Sequence, residues 1–334
     1  MYYTRLFDIF SVNYLLMKLI IQIPAFNEEQ TLPLTLSKLP KQIKGIDEIE
    51  ILIVNDGSTD STVEVAKQHG AHHVVSSINN QGLAKTFTLG IETALSLGAD
   101  IIVNTDADNQ YNADDIPALI QPILDGKADI VIGERPISNT KHFSIVKKIL
   151  QKWGSMVVRF VSDTSVPDAP SGFRAISRKA AIGLNIFNEY TYTLEMIIQA
   201  GKKGIAITSV PVRTNRDERP SKLVKSIPSY IKKSIFTMLR IFNTYRPMYF
   251  FIIVGLIPLS LGFILGIRWI FFYMGEGHAQ HIPSLILAAI FIILGTQLCI
   301  FGLLADLIAV NRKLLEDIQR NIRESRFNSS SDPQ

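Results

Sequence analysis

Asp100-Ile101-Ile102-Val103-Asn104-Thr105-Asp106-Ala107-Asp108-Asn109-Gln110 is a short β-branched run that stops on two carboxylates one residue apart. Its composition is that of a strand buried on both faces, as in parallel sheets. Carboxylates thrown off the tip of such a strand sit close enough to share one hard divalent ion. Mg²⁺ or Mn²⁺ held by so few protein ligands usually completes its shell with substrate phosphates. Asp-x-Asp also arises in turns and helix caps, so the flanking pattern has to decide.

Outward from this stretch, strand-like runs at 19–23, 49–54, 101–103 and 130–132 alternate with helical spacing at 28–39, 61–69, 82–97 and 114–125. That alternation predicts a doubly wound α/β domain, which binds ligands beyond the carboxyl ends of its strands. Two further polar segments fall at those ends: Pro24-Ala25-Phe26-Asn27-Glu28-Glu29 after the first strand and Asn55-Asp56-Gly57-Ser58-Thr59-Asp60 after the second. Each supplies acceptors for a base or ribose, small residues for close approach, and helix N-terminal amides for phosphate. Either alone could be a helix cap. Three at successive strand ends outline a nucleotide-sugar site. His69, His72 and His73 are read as solvated residues of the second helix and its following turn, remote from these motifs.

With 334 residues, 47% of them hydrophobic, the chain is more apolar than a soluble enzyme of its size. The excess lies in two runs, 248–274 and 283–310, each longer than the ~20 residues needed to cross a bilayer. Lys222, Lys225, Lys232, Lys233, Arg240 and Arg246 precede the first run, and Arg312, Lys313, Arg320 and Arg323 follow the second. The connecting segment 275–282 carries no Lys or Arg. By the positive-inside rule both termini and the α/β domain face the cytoplasm. Arg268 and Asp306 lie near span ends, where snorkelling suffices. The net charge of +4 is concentrated where anionic lipids attract it, and nothing points to nucleic acid. One cysteine, Cys299, excludes a disulfide framework and a thiolate metal site. Residues 226–246 place Ile227, Ile231, Ile235, Met238, Phe242 and Tyr245 on one helical face and Lys232, Lys233 and Arg240 on the other, a helix suited to the membrane interface or to packing on the domain. Residues 1–17 are read as an N-terminal extension without a signal-peptide cleavage site, Met17 being an alternative start, and the tail beyond Arg323 as disordered.

Pro-Ala-Phe-Asn-Glu-Glu, Asn-Asp-Gly-Ser-Thr-Asp and Asp-Ala-Asp-Asn-Gln, in this order, resemble the inverting family-2 glycosyltransferases of GT-A fold. With two C-terminal spans, the chain is similar to the polyprenyl-phosphate branch, which includes dolichyl-phosphate mannose and glucose synthases. The resemblance implies a GT-A domain at 18–222, an amphipathic juxtamembrane helix at 223–247, transmembrane helices at 248–274 and 283–310 joined by an extracytoplasmic loop at 275–282, and a cytoplasmic tail at 311–334. It places Pro24, Ala25, Asn27, Glu28 and Asp56 around the nucleotide, and it assigns Asp106, Asp108 and Gln110 to Mg²⁺ or Mn²⁺. Arg135 would lie near the donor phosphates, Ser171, Gly172 and Arg174 on the acceptor side, and Arg219 and Lys222 on the acceptor phosphate. Lys85 matches a glycine-rich basic turn, although Ala84 stands where the family has its second glycine. Pro220 likewise replaces a glycine. Glu195 sits where processive relatives place a general base, and a structural role is equally open to it. Tyr190 and Tyr192 could stack on the sugar or pack in the domain, and packing is the favoured reading. The implied reaction moves one hexose from a nucleotide-sugar to undecaprenyl or dolichyl phosphate. A glycolipid or polysaccharide hydroxyl acceptor, or a silent membrane scaffold, is the alternative. UDP and GDP donors fit the motifs alike, and self-association through the spans is left open.

Overall fold

A computed structural model describes residues 16–136, 156, 158–186, 192–215, 236, 239–276 and 282–328. Arg219, Lys222 and Tyr190, the segment 1–15, most of the amphipathic stretch 226–246, the loop 277–281 and residues 329–334 lie outside the described residues. Two compact units divide the chain: described residues of Met1–Lys141, Ser165–Arg219 and Phe327–Gln334 form one, and those of His142–Thr164 and Pro220–Arg326 form the other.

The first unit is a seven-stranded sheet: β1 (Lys18–Ala25), β2 (Glu48–Asn55), β3 (His73–Ser76), β4 (Ile101–Asn104), β5 (Ile130–Glu134), β6 (Arg174–Ser177) and β7 (Ile207–Pro211). Their order is β3-β2-β1-β4-β6-β5-β7. Helices α1 (Leu32–Lys38), α2 (Thr62–Gln68), α3 (Leu83–Ser96), α4 (Ile116–Leu124), α5 (Arg178–Gly183) and α6 (Tyr192–Lys202) connect and cover it. The four expected strands are present, and their Ile, Leu and Val side chains form the core with Leu32, Leu36, Leu119 and Ile120 of α1 and α4. β1 is central, yet it contains Pro24. Its ladder pairing with β4 ends at Gln22 opposite Asn104, so Pro24, which has no N–H to donate, lies beyond that ladder.

The structure departs from the sequence reading in several places. His73 begins the edge strand β3 instead of closing a helical turn; its Nε2 lies 3.1 Å from Glu50, and His72 Nδ1 accepts the Ile51 N–H at 3.0 Å. Four residues were too few to show a strand period. The first helix starts at Leu32, not Glu28, and a 3₁₀ turn at Ala113–Asp115 precedes α4. β6 runs antiparallel to both β4 and β5, so the sheet is mixed. This reversal matters: Asn104 pairs with Arg174, and the residues leading into β6 therefore lie beside those leaving β4.

In the second unit, α7 (Pro247–Glu276) and α8 (Ile282–Asn328) are 30 and 47 residues long. Both are long and apolar enough to cross a membrane, and the apolar windows are only 11% and 17% buried, unlike the core helices of soluble proteins. α8 continues past Arg323 to Asn328, correcting the expected disorder there, and Arg320 and Glu324 pair one turn apart along it. Glycines set the α7–α8 contact. A Cβ on Gly295 would lie 2.8 Å from the Gly255 carbonyl, and one on Gly262 would lie 2.7 Å from Ile292, so the backbones meet directly. Near residue 160, Phe160 packs on Phe242, and Arg246 holds Asp163 at 2.7 Å.

This register can be checked with the native thiol. A Cβ on Gly255 would stand 3.1 Å from Cys299 Sγ, close to what an S–S bond of about 2.05 Å demands. Gly255→Cys is expected to form an intrachain disulfide with Cys299 under mild oxidation, seen as loss of two titratable thiols and a linked peptide by mass spectrometry. A Cys at exposed Ile257 should not.

Candidate active site

The loops after β1 and β2 are knitted into one surface by hydrogen bonds between them. The Asn27 N–H donates to Ser58 Oγ at 3.0 Å, and Asn27 Oδ1 accepts the Thr59 N–H at 2.9 Å. Glu28 N–H donates to Thr62 Oγ1 at 2.9 Å, and Glu29 accepts the Ser61 N–H at 3.1 Å. Asn27 has φ +53°, a left-handed conformation that asparagine tolerates better than most residues. Asp56 is buried, its two oxygens accepting the Gln81 and Gly82 N–H groups at 2.8 and 3.0 Å. It thereby ties the β2 loop to the start of α3, where Lys85 stands exposed in the first turn. Gly57, at φ +69°, lies so close to the Asn79 backbone that a Cβ would come within 2.7 Å of it. Pro24, Ala25, Asn27, Glu28 and Asp56 thus share one end of the sheet.

Asp106 leaves the tip of β4 onto a platform of buried amides and rings. Gln22 Nε2 donates to Asn104 Oδ1 at 2.9 Å, and Asn104 Nδ2 donates to the Gly172 carbonyl at 2.8 Å and to Tyr192 Oη at 3.0 Å. The Gly172 N–H donates to Tyr111 Oη at 3.0 Å. Gly172 is therefore gripped on both sides of its backbone, and the grip holds it against Asp106: a Cβ there would sit 3.1 and 3.2 Å from the two carboxylate oxygens. Burial, then the charge on Asp108, pushes the Asp106 carboxyl up to about 7, with Glu28 adding and Arg135 and Arg174 opposing. Such a carboxylate pair is short of positive charge.

Arg135, leaving β5, meets Asp168 through Nε and Nη2 at 2.8 and 3.0 Å, and its N–H reaches the same carboxylate at 3.2 Å. The arginine expected at the donor phosphates is thus oriented by a buried acid beside the Asp106 loop. Arg174 is different. It is fully buried, with Nε, Nη1 and Nη2 donating to the carbonyls of Ser171, Thr193 and Ala169 at 2.7–2.8 Å. Its guanidinium shapes the 169–173 loop instead of facing a ligand. Burial lowers its pKa to about 10, Arg135 adding and Tyr192, Tyr111 and Asp168 opposing. Tyr192 packs as expected, stacked on Phe87 at 3.8 Å, its hydroxyl raised in pKa by burial and by Asp106. Glu195 lies in the first turn of α6 and is 6% exposed. Ser171 is fully buried beside Gly172.

Asp108 Oδ1 accepts the Gln110 N–H at 3.1 Å across a turn in which Asn109 has φ +56°. Among the described residues, no cluster of three or more His, Cys, Asp or Glu could hold a metal ion. Two carboxylates and a carboxamide on one turn are a hard oxygen donor set, and it fits an ion that keeps places for substrate oxygens. Asp168, Tyr111, Asn104 and Asn215 escaped the sequence reading. Asn104 and Gln22 did carry a signal, as lone amides inside apolar runs.

A mixed sheet with loops gathered at the carboxyl ends of β1, β2 and β4 defines a GT-A-like nucleotide-sugar fold. Residues 20–184 match the model of glycosyl transferase family 2. Over 217 residues the chain is 32% identical to the UDP-N-acetylglucosamine–dolichyl-phosphate N-acetylglucosaminyltransferase of Methanococcus voltae, covering 58% of this chain and 83% of the relative. It is 29% identical over 277 residues to the dolichol-phosphate mannosyltransferase of Pyrococcus furiosus, covering 78% and 74%. Among solved structures it superposes on the glucosyl-3-phosphoglycerate synthase of Mycobacterium tuberculosis, crystallised with Mn²⁺ and UDP-glucose, with a TM-score of 0.53 at 20% identity over 68% of this chain and 78% of that one. The chain belongs to glycosyl transferase family 2 and is a glycosyltransferase.

Gly172→Ala is expected to displace the Asp106 carboxylate by a few tenths of an ångström. Transfer should fall about tenfold or more, because small misplacements at a reacting centre are costly. Thermal unfolding should shift by no more than about 1 kcal/mol in stability, the neighbour being a side chain that can turn. Equal losses of activity and of folded protein would contradict this.

Proposed function

We propose that the protein transfers one hexose, with inversion, from a nucleotide-diphospho-sugar to a polyprenyl phosphate at the cytoplasmic face of a membrane. The observation that carries this reading is the joining, in one chain, of the paired Asp106 and Asp108 loop to two helices that could span a membrane. The names of the Methanococcus and Pyrococcus relatives point to the same acceptor class.

Such an acceptor simplifies the chemistry. A sugar hydroxyl has to lose its proton to a base, whereas a phosphate monoester with a second pKa near ~6 is already anionic at neutral pH. Its oxygen attacks the anomeric carbon, and the bond to the nucleotide diphosphate breaks. Asp106, Asp108 and Gln110 would hold Mg²⁺ or Mn²⁺, which when bound supplies charge neutralisation on the diphosphate. Asn27, Glu28 and Asp56 would receive the nucleotide, with Pro24 and Ala25 allowing close approach and Lys85 standing exposed at the start of α3. Arg135, pre-oriented by Asp168, would add a fixed positive charge near the departing oxygen. Ser171 and Gly172 would line the acceptor side, while Arg219 and Lys222 would hold the lipid phosphate.

Membranes bearing the protein, given a panel of labelled nucleotide-sugars and a polyprenyl phosphate, should yield an organic-extractable glycolipid. Chelation should abolish the product, Mn²⁺ or Mg²⁺ should restore it, and Asp108→Asn should prevent it. Product formed at full rate in excess chelator would overturn the metal assignment.

The nature of the nucleophile is tested separately. With a phosphate acceptor Glu195→Gln should lose at most about 10²-fold, the low end of general-base effects. Arg219→Ala should cost on the order of 2 to 4 kcal/mol through a lost charge-assisted contact, raising the KM for polyprenyl phosphate more than that for the nucleotide-sugar. A dead Glu195→Gln beside a near-normal Arg219→Ala would instead identify a hydroxyl acceptor.

A further inference from the structure

Three successive carbonyls of the Asp108–Tyr111 turn converge on one residue that lies 106 positions from Asn109. Asn215 Nδ2 donates to the Asn109 carbonyl at 2.8 Å and to the Tyr111 carbonyl at 3.2 Å, with the Asn109 side-chain oxygen at 3.3 Å. The Asn215 backbone N–H donates to the Gln110 carbonyl at 2.9 Å. Four acceptors surround the carboxamide and backbone of Asn215, so the amide has only one orientation in which its NH₂ faces them. The left-handed Asn109 is what turns these carbonyls toward a single point. Asp108 and Gln110 flank Asn109 in this same turn, with the Gln110 N–H given to Asp108 Oδ1 at 3.1 Å.

The neighbouring contacts differ in kind. Arg213 bonds Asp115 through Nε and Nη2 at 2.9 and 2.7 Å, and its carbonyl accepts the Asn112 N–H at 3.2 Å. These fasten the strand-like segment 212–214 to the base of α4, beyond the turn. Asn215, by contrast, bonds the backbone of the turn between Asp108 and Gln110 itself.

We infer that Asn215 is a positioning residue for divalent-cation binding, holding Asp108 and Gln110 in the spacing that a hard cation requires. This rests on the metal reading of Asp106, Asp108 and Gln110 made above. Outer partners that orient ligands in this way typically carry about 10- to 100-fold of metal affinity.

The test measures free Mn²⁺ by electron paramagnetic resonance with full-length protein in detergent and saturating UDP, for wild type, Asn215→Ala, Asn215→Asp and Arg213→Ala. Asn215→Ala should bind Mn²⁺ about tenfold or more weakly, and its transfer rate should recover largely at high Mn²⁺, so the loss appears in the metal dependence and not in kcat. Asn215→Asp, which keeps the shape but presents oxygens to the carbonyls, should match it or be worse. Arg213→Ala should shift the Mn²⁺ affinity by about twofold or less, showing that general loosening is not the cause. Unchanged Mn²⁺ binding in Asn215→Ala overturns this inference alone, as does equal weakening in Arg213→Ala. Wild type that binds no Mn²⁺ with UDP present overturns the metal reading itself.

Discussion

The site depends on the doubly gripped peptide of Gly172. Its N–H is given to Tyr111 Oη and its carbonyl receives Asn104 Nδ2, so two buried side chains from either side of the Asp106 loop fix one backbone unit. Buried polar groups of this sort hold a unique geometry because leaving either one unpaired would cost its desolvation. The grip is possible only because β6 is antiparallel to β4. A parallel strand in that position would have delivered its leading loop to the far end of the sheet, and the carboxylate pair would have stood without a second wall.

Much of the architecture is legible in the chain because its causes are local. Ile, Val and Leu runs bounded by turn residues announce β1, β2, β4 and β5, and the polar segments after three of them announce the candidate site. Edge strand β3 and inserted strand β6 are four residues each, too short for a period to show. Helix α1 starts later than composition suggests: Glu28 to Thr31 have the composition of a first turn, but the Glu28 and Glu29 amides are given to Thr62 and Asp60 after β2, and the Thr31 amide to the Glu28 carbonyl.

The candidate site divides along the same line. Asp106, Asp108, Asn27 and Asp56 were visible because their meaning lies in adjacency to a strand end. Asp168, Tyr111 and Asn215 were not, since each acts through a partner 33 to 106 residues away, chosen by sheet register. Arg174 shows the converse: its neighbours in sequence suggested a ligand contact, while its depth commits it to three carbonyls. Sequence proximity to a motif identifies a loop, and tertiary packing decides which of its side chains faces inward.

The pairing of Arg135 with Asp168 also has an energetic meaning. An arginine free in solvent must give up side-chain entropy, on the order of 1 to 2 kcal/mol, before it can orient a phosphate oxygen. Here that ordering is complete in the folded chain, in a setting where Asp168 is almost wholly excluded from water. The companion acid also offsets part of the charge that Arg135 presents to its surroundings. The cost of ordering the guanidinium is thus met when the chain folds, before any ligand arrives.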